Sequence, residues 1–373
     1  MSENSYLLNS PLVSVIIPTY NAESLIERTL NSVLSQTYVN IDVVVIDDGS
    51  SDRTPEIVRA IAQKDSRIRL LQQPNAGVAA ARNLGIQHAQ GKFIAPIDAD
   101  DLWYPDAMAK LVAQFQEIRP DVGVVYAWSI DIDEQDQPTG GFHAATIAGN
   151  VYKTLICHNF LGNASATLIR KTCLDAIGGY DTQLKAQKAQ GCEDWDLYLR
   201  LAEHYKFGVV PEFLIGYRKV ANSMSRDFSQ MARSQHLMLH AIQHNHPELP
   251  HYLYRLSRSS FYLYLAQQSD VLGHPSETLA WLRQAVNADP ITCLSRLGLY
   301  LLLVKNLAKL TQKSQLFPNL AAISTPHRSP PQNLRVVAPL PIPFLPTTQS
   351  VHPLKIRLKV LLGTVLHQSL SRI

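Results

Sequence analysis

Hydrophobic and polar positions alternate between two rhythms over the first 130 residues. Residues 13–18 are a continuous apolar run of the kind that makes a buried strand, and after it Leu25, Ile26, Leu30, Val33 and Leu34 fall at helical spacing. The same couplet returns. Residues 41–46 form a second strand that runs into Asp47-Asp48-Gly49-Ser50-Ser51-Asp52, and Ile57, Val58 and Ile61 mark the helix behind it. A short strand over 68–71, a turn at Pro74-Asn75-Ala76-Gly77, an Ala-rich helix over 78–90 and a strand over 93–97 follow. Helix 105–117 and strand 122–128 continue the alternation. Strands separated by helices predict an α/β fold with a Rossmann-like, mostly parallel sheet, flanked by helices and joined by right-handed crossovers. Pro96 cannot donate to a ladder, so the strand that carries it should fray or bulge just before the aspartates.

Past residue 140 the rhythm breaks into Gly- and Asn-containing loops up to about 165, and a polar helix start stands at Gly191-Cys192-Glu193-Asp194-Trp195-Asp196. Residues 215–218 close a last strand, and Ser223-Met224-Ser225 lies in a loop that could fold over a ligand. From about 231 the pattern is helical, and the pair of helices around Gly273 has the look of a tetratricopeptide-type hairpin, of which one unit cannot bury its own face. Residues 297–304 are the most apolar run, suited to a core helix more than to a membrane interface. These shifts divide the chain into residues 1–230, the helical region 231–312, a Pro-rich linker 313–350, and a basic amphipathic tail 351–373.

Charge sharpens that division. The net charge of +3 hides about −7 on residues 1–230 and about +10 on 231–373, and ten Lys and Arg but no acid follow Asp289. Such a tail makes an anionic membrane surface a candidate partner. Nucleic acid is not expected, because the basic residues are interleaved with Leu, Ile and Val and few aromatics are available to stack on bases. The four cysteines have no metal-ligand spacing and read as reduced residues of a cytosolic protein. Neither a signal peptide nor an apolar run of 18 residues is found. The expected location is the cytoplasm, with a peripheral place on the inner face of the cell membrane kept open.

Candidate chemistry concentrates where the fourth strand ends, at Asp98-Ala99-Asp100-Asp101. Ligands of open α/β sheets sit at the carboxyl ends of the strands, so Asp98 and Asp100 can share one face of that crevice while Ala99 points away. Two such oxygens, with waters and substrate phosphates, suit Mg²⁺ or Mn²⁺ held against a diphosphate. The plainer alternative is a helix N-terminus capped by Asp101, with Pro105 in its first turn. At residues 193–196 the plainer alternative is again capping, by Glu193 or Asp194. Pro18-Thr19-Tyr20-Asn21-Ala22 lacks the glycines of a dinucleotide fingerprint, and no Gly-rich turn precedes Gly-Lys-Ser or Gly-Lys-Thr, which argues against a Rossmann dehydrogenase or a P-loop kinase.

Taken in order, residues 13–21, 45–54, Asn75-Ala76-Gly77, residues 81–85, residues 98–101, Gly178-Gly179-Tyr180-Asp181 and residues 193–197 resemble the family 2 glycosyltransferases, the large inverting group with a GT-A fold. The likeness covers about 11–228. It implies that Pro18 and Tyr20 line a nucleotide, Asp48 accepts from the nucleobase, Asp98 reaches the ribose, Asp100 holds the divalent metal, and Asp194 is the base. Arg82 and Glu193 join the substrate-binding residues. The implied enzyme is an inverting glycosyltransferase of the hexosyltransferase type, moving a sugar from a nucleotide-sugar donor, a UDP-sugar by default, to a glycan or lipid-linked acceptor in envelope or surface polysaccharide synthesis. The alternative is an inactive nucleotide-sugar-binding or scaffold protein of the same fold. Many relatives carry a histidine two residues past Tyr-Arg where this chain has Val220, which puts a pyrophosphate contact from that loop in question.

Overall fold

The computed structural model describes residues 10–117, 120–220, 226–316 and 352–371; the loop at 223–225 and most of the Pro-rich stretch lie outside them. The chain forms two compact units, one of residues 1–248 with 343–373 and the other of Leu249–Ile342.

Among the described residues the first unit is built on nine strands: β1 (Val13–Thr19), β2 (Ile41–Asp47), β3 (Ile68–Gln72), β4 (Phe93–Pro96), β5 (Leu102–Trp103), β6 (Val122–Ile132), β7 (Pro138–His143), β8 (Thr167–Arg170) and β9 (Lys206–Arg218). They make one sheet in the order β3-β2-β1-β4-β8-β6-β9-β5, with β7 on the edge of β6. The β1–β2, β1–β4, β2–β3 and β6–β9 pairs are parallel, and β8 is antiparallel to both β4 and β6. All seven residues of β1 are buried, as a parallel strand covered on both faces requires. Val13, Val15, Ile17, Val43 and Val45 pack with Ile26, Leu30 and Val33 of the helix Ile26–Leu34 in the main core.

Two glycines set how closely the layers approach. A Cβ on Gly85, in the helix Val78–His88, would stand 2.6 Å from both Ile16 Cγ2 and Ile46 Cδ1, so this helix lies directly on β1 and β2. A Cβ on Gly91 would meet the Ser14 backbone nitrogen at 2.4 Å, so only glycine lets the chain enter β4 alongside β1.

The strand that delivers the aspartates ends at Pro96, where the missing donor predicted a fray. Within β4, β8 pairs only with Phe93 and Ile94, so Pro96 lies where β4 has one partner, and Ile97 N donates to Ile16 O at 3.0 Å to keep the chain against β1. The helix expected from 105 starts at Ala107 and is preceded by β5, a two-residue strand too short to show a period. The stretch read as loops at 140–165 contains the end of β7, the helix Tyr152–Cys157 and a 3₁₀ turn at Ala164–Ala166. The last strand is 13 residues long, and all but its end escaped the apolar pattern because Pro211 and Glu212 interrupt it.

Residues 313–316, expected in the linker, are the end of the helix Leu297–Leu316. The basic tail forms the helix Pro353–Ser371, and its Ile356 and Val360 pack on Leu102, Tyr104, Ile130, Ile132 and Phe213 of the first unit. In the second unit the helices His251–Val271 and Pro275–Ala288 turn about Gly273 and enclose a small core with Leu263, Ala266, Leu282, Ala285 and Leu299. Leu299 and Leu302 face that core, whereas Leu297, Leu301 and Val304 of the same helix are exposed. The four cysteines are buried and free.

Candidate active site

The parallel strands β1, β2 and β4 end side by side, and each end carries candidate residues. Pro18 and Thr19 pair with Ile46 and Asp47, and Asp48 N donates to Thr19 O at 2.8 Å. Pro18 is buried within β1, whereas Tyr20 is 54% exposed just beyond it. Ser51 N donates to Asn21 Oδ1 at 2.8 Å and Asn21 N to Ser50 Oγ at 2.9 Å, so the turns after β1 and β2 are latched together. Asp48 is buried and organises the next turn. Its Oδ1 accepts from Gln73 Nε2 at 2.7 Å and Ala76 N at 2.8 Å, and its Oδ2 from Gly77 N at 2.8 Å. A carboxylate oxygen has two lone-pair directions, so Oδ2 keeps acceptor capacity beyond its one backbone donor.

Asp98, Asp100 and Asp101 have three different environments. Asp101 is fully buried, its Oδ2 accepting from Ser165 Oγ at 2.5 Å and its Oδ1 from Arg218 N at 2.8 Å. It does not cap a helix. Strand β5 follows it, and its carboxylate instead joins the end of β4 to the turn before β8 and to the end of β9. Ser165 Oγ also accepts from Asp98 N at 3.0 Å, and Trp103 Nε1 donates to Ser165 O at 2.8 Å, which completes the clamp. Asp98 remains partly exposed and is ion-paired with Arg82. The Asp100 carboxyl is pushed up to about 6 by burial and by the Asp98 carboxylate, with Arg218 and Lys219 opposing the shift. A carboxylate held in this way favours a cation.

Arg82 connects this carboxylate group to the second candidate centre. Its guanidinium is buried, lies 5.1 Å over the Tyr180 ring, pairs with Asp98 and feels the Asp194 carboxylate. Burial alone would favour its neutral form; Asp98, Tyr180 and Asp194 outweigh that and hold it protonated. Asn83 fixes Tyr180 from both sides, accepting from Tyr180 N at 2.8 Å and donating to Tyr180 O at 2.8 Å. A Cβ on Gly179 would fall 2.6 Å from Asn83 Oδ1. The sequence stretches around 82 and 180 are therefore the two halves of one contact.

Glu193 and Asp194 open the helix Glu193–His204, whose N-cap residue Cys192 makes no side-chain cap hydrogen bond. Glu193 Oε2 reaches back to accept from Gly191 N at 2.8 Å, outside the helix, whereas Asp194 Oδ1 accepts from Trp195 N at 2.7 Å, a first-turn donor, so the capping alternative holds in part at Asp194. Glu193 is buried, and its carboxyl is raised chiefly by that burial. Asp194 is half-buried, and its carboxyl is pushed up to about 7 by desolvation; Arg82 lowers it and Glu193 raises it. A carboxylate poised near neutral pH is suited to accept a proton.

Three contributors were missed in the sequence. Ser165 lies in an Ala-rich turn with no motif around it. Arg218, whose side chain is wholly buried, donates from Nε to Asp100 O at 2.6 Å and from Nη1 to Asp133 O at 2.5 Å. Lys219 follows it, its Nζ 3.9 Å from the Tyr217 ring centroid and 3.9 Å from Asp131 Oδ2. Burial favours neutral Lys219, and Asp131, Asp101 and Asp100 oppose this. A cation thus stands beside the aspartates, one residue before Val220. The signal available was the Tyr-Arg-Lys run at the end of an apolar strand.

Among the described residues no group of three or more His, Cys, Asp or Glu side chains has the arrangement of a complete metal cage. Asp100 fits a metal in the other way open to Mg²⁺ or Mn²⁺, in which one or two carboxylates act together with substrate phosphates and water.

A mostly parallel sheet with carboxylates at adjoining strand ends, faced by a helix-borne acid, defines a GT-A type fold. Residues 14–171 match the family model described as Glycosyl transferase family 2. Over 209 residues the chain is 32% identical to an uncharacterised glycosyltransferase of Rickettsia conorii, covering 56% of this chain and 33% of that protein. Over 207 residues it is 28% identical to chondroitin synthase of Pasteurella multocida, covering 55% of this chain and 20% of the synthase. It thus spans a third or less of the length of these relatives. The crystal structure of S. aureus TarS 1-349 in complex with UDP shares the fold at 19% identity and a TM-score of 0.51, with 83% of this chain and 94% of that one covered.

Proposed function

We propose that the protein is an inverting glycosyltransferase that moves a sugar from a nucleotide-sugar donor, a UDP-sugar by default, to an acceptor hydroxyl. One observation carries the proposal: Arg82 links a strand-end carboxylate, Asp98, to a helix-borne acid, Asp194, whose carboxyl is pushed up to about 7 by burial. A donor diphosphate belongs at the strand ends and a proton acceptor opposite it, and here the two are coupled by one guanidinium.

Tyr20 offers an exposed ring to the nucleotide beside Pro18, Asp48 Oδ2 accepts from the base, and Asp98 accepts from the ribose while Arg82 holds it in place. Asp194 takes the acceptor's proton as its oxygen attacks the anomeric carbon, a contribution of roughly 10²–10⁴-fold. The carbon–oxygen bond to the β-phosphate breaks, and that oxygen keeps the electron pair. A single displacement inverts the anomeric centre; a retaining double displacement would need another carboxylate as nucleophile. Glu193 shapes the same helix start and raises the basicity of Asp194. Lys219 supplies positive charge to the departing diphosphate in place of a histidine at Val220. When bound, a Mg²⁺ or Mn²⁺ ion on Asp100 would supply Lewis-acid neutralisation of the leaving group.

The likeness to a chondroitin synthase supports polysaccharide synthesis, with a glycan or lipid-linked acceptor, and the basic C-terminal third supports work at an anionic membrane face. A panel of nucleotide sugars, read by product mass, tests the proposal. Asp100→Ala should lose transfer and metal-dependent UDP binding while its unfolding transition stays cooperative. Full transfer by that variant would overturn the assignment, and tight UDP binding without turnover of any donor by the unaltered chain would favour the scaffold alternative.

A further inference from the structure

The C-terminal helix Pro353–Ser371 has one face on the first unit and the other in solvent. On the inner side Ile356 and Val360 pack on the β5–β6–β9 cluster, Thr364 Oγ1 is 3.2 Å from Thr146 Oγ1, and Thr154 Oγ1 is 2.8 Å from His367 Nδ1. Lys359 Nζ donates to Phe142 O at 2.5 Å and lies 4.7 Å over the Phe142 ring. The helix is therefore docked in a defined rotation. That rotation leaves Leu354, Leu358, Leu361, Leu362 and Val365 between 51% and 67% exposed.

At 3.6 residues per turn these five side chains fall within an arc of about 100°, a continuous apolar stripe. Lys355 borders it on one side and Arg357 on the other, both exposed, and the helix contains no Asp or Glu. Exposed apolar patches of this kind mark interaction surfaces on otherwise ordinary monomers. The charge pattern selects the occupant: an apolar stripe with cations on both borders and no anion complements a bilayer whose acyl region lies beneath anionic head groups. No helix among the described residues is long and apolar enough to cross a membrane.

We infer that the outer face of this helix is an in-plane docking surface for an anionic lipid bilayer, with the leucine stripe at the acyl boundary and Lys355 and Arg357 on the head groups. This deepens the membrane side of the proposed function, and because its test reads lipid binding alone, failure of docking and failure of sugar transfer are told apart. The inner face keeps its seat on the unit that carries the candidate active site. A membrane bound in this way would present lipid-linked substrates to that unit in one orientation.

Sedimentation of the full chain with vesicles decides. Phosphatidylcholine vesicles containing phosphatidylglycerol should bind the chain more tightly than phosphatidylcholine alone, and more at low than at physiological salt. The triple variant Leu358→Ser, Leu361→Ser, Leu362→Ser should lose at least about tenfold in partition, since each leucine removed gives up a buried side chain's transfer energy. Lys355→Glu with Arg357→Glu should lose binding on the anionic vesicles alone. All these residues are exposed, and unchanged thermal unfolding checks that each variant is folded. The inference is overturned if a folded triple variant partitions like the unaltered chain. It is equally overturned if the chain ignores both vesicle types and self-associates through the stripe, which would make a second copy the occupant.

Discussion

Burial raises the proton affinity of Asp194 and Arg82 opposes that rise, so replacing Arg82 with methionine should move the acid limb of the pH–rate profile. In the unaltered protein the Asp194 carboxyl stands at about 7. One unit below that value about one molecule in eleven carries the carboxylate, and one unit above about ten in eleven do. The rate of transfer at low acceptor should therefore climb nearly tenfold between pH 6 and 8 and then level. Arg82 is the cation that opposes burial at this site, and a nearby opposite charge depresses a carboxyl by roughly 1–3 units. Its removal should carry the limb upward by at least about one unit, with the rate at high pH partly recovered. Nucleotide affinity will also fall, because Asp98 loses its partner, so the limb is read from turnover at saturating donor. Stability has its own sign. Asp194 binds its proton more tightly in the folded chain, so its contribution is present below the ordinary carboxylate range and is lost as pH rises from about 4 through 7; Asp194→Asn should flatten that decline. An acid limb near pH 4–5 in the unaltered enzyme, or one that does not move in Arg82→Met, would refute the coupling.

Lys219→Met should weaken binding of UDP several-fold and leave UMP nearly unchanged in calorimetric titration, since only UDP carries the β-phosphate; equal losses for both would show that Lys219 acts on the fold instead. Gly85→Ala should destabilise by about 1–3 kcal/mol in denaturant unfolding, because the new methyl meets Ile16 and Ile46 at 2.6 Å; a neutral change would mean that the helix over β1 and β2 slides freely. Asp101→Leu should cost far more than a surface change, since Ser165 Oγ and Arg218 N lose their acceptor inside the sheet; unaltered stability would remove the clamp from the account.

What could be read in advance follows the range of the interactions. The apolar runs of β1, β2 and β4 are local and buried on both faces, so their strands and the carboxylates at their ends stood out. Asp194 stood out for the same reason, three acids in one helical turn. Its companions did not. Ser165 and Arg218 matter through contacts that cross 64 and 117 residues of sequence, and nothing near either residue announces a partner. β5 exists because Leu102 and Trp103 lie against Gly216 and Ile215, a tertiary pairing with no period of its own. The tail's alternation of apolar and basic residues suggested an amphipathic element, but which of its leucines would face protein was fixed only by the seat of Ile356 and Val360.

The first unit is discontinuous in the chain: besides the residues up to Glu248 it takes in the helix Pro353–Ser371, which follows the second unit in sequence. Shortening such a chain from its carboxyl end does not trim an appendage. It first uncovers Tyr104, Ile130 and Phe213, strips Thr146 and Thr154 of their partners, and only afterwards reaches the second unit. A fragment cut at residue 248 would therefore behave as a damaged first unit. A version in which a peptide linker joins residue 248 to the helix Pro353–Ser371 would keep the seat filled, at an entropic cost that changes by only about 0.6 kcal/mol for each doubling of the linker. The second unit is thus the exchangeable cassette, and the last helix belongs to the body that it interrupts.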